Sequence, residues 1–133
     1  MTHRYGIDTS ILVRLVSGDP EELYEQCVQR LSVLVQEQGA EVFASNQVIG
    51  EAYIALQHHY GITKPEARAG LSSVLQSGLV APQHGKGILD ILATGTGCGL
   101  IDRLIADDYR RGGLVSLTLD RKMAGLDHAR LLF

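Results

Sequence analysis

Five short runs rich in apolar residues punctuate the chain, and the stretches between them carry apolar residues three and four apart. The runs are Tyr5–Ile7, Glu41–Ser45, Leu79–Ala81, Leu114–Thr118 and Arg130–Phe133. Runs this short read as strands, and the spacing between them reads as helix. Strands that alternate with helices call for a parallel sheet with helices on both faces. We therefore expect an α/β chain, a three-layer α/β/α sandwich around a parallel sheet of four to five strands. With 133 residues and 45% hydrophobic side chains, the chain suits one domain, residues 1–133.

Local signals place the helices. In Tyr5-Gly6-Ile7-Asp8-Thr9-Ser10 a brief strand ends in an acid, and Thr9 and Ser10 can cap the helix that follows over Ile11–Val16. Asp19-Pro20 opens a second helix, striped by Leu23, Cys27, Leu31 and Leu34, which should stop at Gly39. That stripe is either core or dimer surface. Asn46 is a cap for the helix carrying Val48, Glu51, Ala52 and Leu56, and Thr63-Lys64-Pro65-Glu66 is a capping-box signal. Ile88–Ala93 allows one or two helical turns. Leu100–Arg111 is a helix with Leu100, Ile101, Leu104 and Ile105 on its buried side, and Arg121–Leu126 is a short one.

Several classes are disfavoured. No apolar run approaches the ~18 residues of a membrane span, and no signal-peptide core follows Met1, so the expected setting is cytoplasmic. Cys27 and Cys98 form no CxxC pair and read as apolar fillers. The net charge of −3 argues against a tight, non-specific nucleic-acid binder. The five histidines are scattered and lack zinc spacing, so they should be exposed. Thr94–Gly99 lacks the Gly-Lys-Ser/Thr ending of a phosphate loop, and reads instead as a mobile loop over the active site.

Four acids stand out by their places in this layout. Asp8 ends a strand and Asp120 follows another by two residues; Asp102 and Glu51 lie near the starts of helices. In an open parallel sheet all four belong to the edge where ligands bind. Taken singly, each has an ordinary reading, as a turn acid, a helix cap or a first-turn acid favoured by the helix dipole. Together they would repel: two charges ~4 Å apart interact by about 4 kcal/mol at an effective dielectric near 20. A divalent cation removes that conflict, and oxygen ligands favour Mg²⁺ or Mn²⁺.

These residues resemble the motifs of the PIN domain, a family of small metal-dependent nucleases that includes VapC-type toxins. Ile7-Asp8-Thr9-Ser10 is similar to its first acidic motif, and Glu51 to its helix glutamate. Asp102-Arg103-Leu104-Ile105-Ala106 is similar to its Asp-x-Leu-Ile-Ala helix, and Leu117-Thr118-Leu119-Asp120 to its final Thr-x-Asp. The resemblance runs nearly end to end. It implies a twisted central sheet and Mg²⁺- or Mn²⁺-dependent cleavage of RNA. Asp8, Glu51, Asp102 and Asp120 would be the catalytic metal ligands, supported by Thr9, Ser10 and Thr118. It further implies an antitoxin partner and a homodimer.

Three features depart from the pattern. Asp107 and Asp108 follow Ala106 where small residues are usual; either one of them joins the site or both are solvated, and we expect the latter because they lie more than a turn beyond Asp102. The stretch from Pro82 to Asp102 is short and glycine-rich, and Met123 stands near the place of a usual phenylalanine. Arg103 and Arg121 each follow a candidate ligand and are candidate RNA phosphate contacts. Two rival functions are a housekeeping RNA-processing nuclease and a non-catalytic interaction module of the same fold. A phosphotransfer domain built on Asp8 would want a lysine after a strand end, and none is well placed.

Overall fold

The computed structural model describes residues 2–133. The chain divides into two compact units, Met1–Ala93 and Thr94–Phe133. The first unit contains β1 (Arg4–Gly6), α1 (Thr9–Ser17), α2 (Glu21–Ser32), β2 (Glu41–Ala44), α3 (Asn46–Tyr60), α4 (Lys64–Leu75), β3 (Ala81–Pro82) and α5 (Gly87–Ala93). The second contains α6 (Leu100–Arg111), β4 (Ser116–Thr118), α7 (Arg121–Ala124) and β5 (Ala129–Leu131). The chain is α/β, as the alternation of patterns requires. Its strands are parallel, in a three-stranded sheet of order β1-β2-β3 and a two-stranded sheet of β4 and β5.

In the first unit, β2 alternates as a half-buried strand should. Val42 and Ala44 are buried, while Glu41 and Phe43 face outward. Helices α1, α3 and α4 pack on one another, and α4 packs on α5. Leu12, Ile49, Leu56, Leu71, Ile88 and Leu92 are fully buried there. Each such side chain contributes about 1.5–3 kcal/mol relative to exposure. At Gly70 in α4 an added Cβ would lie 2.8 Å from Val16 Cγ1, so the close approach of α1 and α4 needs a residue without one.

Helix ends follow from the sequence with small corrections. Asp8 itself caps α1, accepting from the Ile11 amide, so the helix starts at Thr9 and that residue and Ser10 lie inside it. Ser45 caps α3 by accepting from the Val48 amide at 3.1 Å; Asn46, expected in that role, is the buried first residue of the helix. The Thr63–Glu66 capping box forms as expected. α2 gives way at Val33–Glu37 to a π-helical turn, and the chain turns at Gly39 with φ 69°. Its expected stripe is mostly half-buried: only Leu31 is buried, and Leu23 is 45% exposed. β3 is Ala81–Pro82, two residues later at its start than the apolar run suggested, with Val80 buried just before it.

The second unit is lighter in core. Cys98, Ala106 and Met123 form a small buried cluster, with Leu126 packed against it. Leu100 and Leu104 are buried as expected, but Ile105 is 41% exposed. β4 and β5 begin at Ser116 and Ala129, each shorter than or shifted from the expected run, and α7 ends at Ala124. Among the described residues, no helix is long and apolar enough to cross a membrane.

Candidate functional site

The chain passes from β1 and β2 into α1 and α3, and Asp8 and Glu51 lie near the starts of these two helices. Asp8 is extended at φ −94° and ψ 178°, which starts α1 without strain. Its Oδ1 accepts from the Ser10 hydroxyl at 2.6 Å and from the Ile11 amide at 3.2 Å. Next to it, the Thr9 hydroxyl donates to Glu51 Oε1 at 2.7 Å, across 42 residues of sequence. The other oxygen, Oε2, accepts from Gln47 Nε2 at 3.1 Å, one turn earlier on α3. Thr9 therefore links the start of α1 to the Glu51 carboxylate.

Donors of this kind favour the charged form of a carboxylate. The Ser10 hydroxyl, then the Ile11 amide, hold Asp8 below its ordinary value against a small opposing effect of burial. The Thr9 hydroxyl, then the Gln47 amide, do the same for Glu51. Both acids are exposed, so at neutral pH this edge presents two solvent-facing carboxylates whose oxygens are oriented by neighbours.

In the second unit Asp102 lies half-buried in the first turn of α6. Asp120 caps α7: its Oδ1 accepts from the amides of Lys122 at 2.7 Å and Met123 at 3.3 Å. Thr118 acts on the backbone, its Oγ1 accepting from the Asp120 amide at 2.9 Å. The buried thiol of Cys98 reports on both acids. Burial, first, raises its pKa; the Arg103 charge opposes this, and the charges of Asp102 and Asp120 add to it. Both carboxylates thus lie within electrostatic reach of one sulfur.

Asp107 is not solvated as the sequence suggested. It is 6% exposed, with Oδ1 3.2 Å from Arg110 Nη2 and Oδ2 2.9 Å from Arg111 Nε. The basic end of α6 folds back over it, whereas Asp108 is exposed. Arg103, a candidate phosphate contact, donates from Nη2 to the Thr96 carbonyl at 2.7 Å and from Nε to the Cys98 carbonyl at 3.2 Å. It pins the loop that the glycines suggested would be mobile. Arg121 is exposed at the start of α7.

In the first unit Thr9, the residue after Asp8, reaches Glu51, and in the second the Cys98 thiol feels the charges of Asp102 and Asp120. Among the described residues, no three or more His, Cys, Asp and Glu side chains form a group arranged to hold a metal. The donor chemistry of these carboxylates still fits Mg²⁺ or Mn²⁺, since such ions accept one or two carboxylates and keep several waters. Gln47 and the Arg103 loop clamp escaped the sequence reading. Gln47 carried a usable signal, four residues before Glu51 on the same helix face. No family model, curated protein or solved structure matches the chain.

Proposed function

We propose that the chain is a Mg²⁺- or Mn²⁺-dependent endoribonuclease of PIN type, the toxin of a type II toxin–antitoxin pair. The observation that carries this reading is the Thr9–Glu51 bond beside Asp8. Residues 42 apart meet at the carboxyl ends of parallel strands, where two ionised carboxylates face solvent and their oxygens are held in place. A structural acid would gain little from such a hold, whereas a ligand or base gains orientation.

In this reading Asp8 and Glu51 hold a divalent cation, and Asp102 and Asp120 carry the same assignment in the second unit. When bound, the ion supplies charge for the phosphate and acidifies a water. The chain's own part is positional. Thr9 and Gln47 fix the direction of the Glu51 oxygens, Ser10 fixes that of Asp8, and the carboxylates orient the attacking water in line with the scissile bond. Arg121, exposed beside Asp120, contacts the RNA backbone. The finer architecture we propose is the three-layer α/β/α sandwich around a central twisted parallel sheet of four to five strands.

A protein partner is supported by apolar exposure in the second unit. Leu114, Val115, Leu117, Leu119, Leu132 and Phe133 are each more than half exposed, an unusual concentration for a surface without a partner. We assign that partner as the antitoxin, with a homodimer through apolar helix faces and a cytoplasmic setting.

Asp8→Asn tests the activity. Asparagine caps a helix as well as aspartate does, so the fold should persist by circular dichroism while cleavage falls on the order of 10²–10⁴-fold. Cleavage by Asp8→Asn at the wild-type rate would remove Asp8 from the mechanism and the reading with it.

A further inference from the structure

The start of α6 is held by a side chain from inside the helix. Its cap is Gly99, which has no side-chain oxygen to offer the first amides. The loop before it contains Gly95 and Gly97, so it has much conformational freedom to lose. Order comes from Arg103, whose side chain runs back over the preceding turn. Its Nη2 donates to the Thr96 carbonyl at 2.7 Å and its Nε to the Cys98 carbonyl at 3.2 Å, seven and five residues back. One planar, charged fork thus fixes two carbonyls of the loop.

Gly97 is matched to this clamp twice over. Its φ of +81° is left-handed, which glycine adopts at little cost. A Cβ built on it would also lie 2.9 Å from Arg103 Nη2, so any side chain here would push the guanidinium off its carbonyls. The clamp reaches the candidate acids by two routes. Asp102 immediately precedes Arg103 in the first turn of the same helix. Cys98, held by its carbonyl, buries its side chain in the cluster with Met123, and the Met123 amide donates to Asp120 Oδ1 at 3.3 Å. All of these residues belong to the second unit.

A guanidinium committed to two carbonyls is poorly placed to follow a phosphate, whereas a rigid support beside a ligand carboxylate is what orients it. We propose that Arg103 is a positioning residue and not an RNA contact: by clamping Thr96 and Cys98 it sets how Asp102 and Asp120 present their oxygens to the divalent cation. This rests on the ribonuclease reading and adds the element that aligns two of its acids.

The test uses the full chain. Mn²⁺ affinity is read by calorimetry, and binding of a fluorescein-labelled eight-nucleotide oligouridylate by anisotropy over a range of salt without Mn²⁺, with Tm on the same samples. Arg103→Met removes the fork and its charge, Arg103→Lys keeps the charge without the fork, and Gly97→Ala disturbs the fork and leaves every charge in place. Each should lower Mn²⁺ affinity on the order of tenfold or more, while RNA affinity and its salt dependence stay at wild-type values. Arg103→Lys and Gly97→Ala, the milder changes, decide the matter if Arg103→Met does not fold. Wild-type Mn²⁺ affinity in those two variants, with or without a lower Tm, overturns the positioning role and leaves the nuclease reading standing. So does weaker RNA binding by Arg103→Met, with a salt slope smaller by roughly 0.7 and restored in Arg103→Lys, because that is the mark of a phosphate contact. Absence of saturable Mn²⁺ binding by the wild-type chain overturns both.

Discussion

The first unit holds Glu51 from afar, and the second holds Asp120 locally. Glu51 is held by Thr9 across 42 residues, in a unit whose helices bury Leu12, Ile49, Leu56 and Leu71 completely. Asp120 is held by the amides of Lys122 and Met123, two and three residues on, in a unit whose small cluster is Cys98, Ala106 and Met123. A local cap forms wherever its helix forms. A hydroxyl reaching another helix is correct only when two elements are packed in register, so the packed core is what makes the Thr9–Glu51 bond possible. The same contrast explains why Arg103 and Asp107 are committed to loop carbonyls and to the end of their own helix.

The largest expected effect is in the cores. Leu56→Ala should cost about 2–5 kcal/mol in urea denaturation, because Leu56 is fully enclosed and the site cannot collapse freely. Met123→Ala should cost about 2 kcal/mol or less, since Met123 sits in a small cluster and retains 8% exposure. A greater loss from Met123→Ala would reverse the ranking of the two units.

Next is the long-range hydroxyl. Thr9→Val keeps the shape of the side chain and removes the donor to Glu51. It should lower Mn²⁺ affinity or cleavage by roughly 10–100-fold, as loss of an orienting partner does, with little change in Tm. A valine variant with wild-type affinity and rate would reduce the Thr9–Glu51 bond to a surface contact.

The smallest effect is in acid. Asp8 and Glu51 are lowered in the folded chain by their donors, so between the folded and ordinary values the unfolded chain binds more protons. Their contribution is therefore complete above the ordinary carboxylate range, about pH 4–4.5, and is lost as pH falls through the lowered values. Denaturation from pH 6 to 3 should show a shallower acid loss in Thr9→Val than in wild type. Identical slopes would show that the Thr9 donor does not act on Glu51 in solution.

Much of this was legible in the sequence, and the reasons differ by residue. The Thr63–Glu66 box and the helix over Leu100–Arg111 are written in local signals, and the structure reproduces them. The junction into α1 at Asp8 is local too, although β1 already ends at Gly6, and aspartate, threonine and serine are all good caps; only geometry shows that Asp8 takes the amide while the hydroxyls serve carboxylates. Asp107 was misread because its burial depends on where two arginines a turn away fold back. Ser45 and Asn46 compete for one cap, and nothing local decides between them. Gln47 was legible by its spacing from Glu51, four residues earlier on the same helix.

Calorimetric titration of Mn²⁺ into the wild-type chain and Asp8→Asn bears most directly on the claim that the oriented carboxylates hold a divalent cation. We expect saturable binding by the wild type, and at least a tenfold loss in Asp8→Asn at unchanged Tm. Equal binding by the two proteins, or no saturable binding by the wild type, would contradict it.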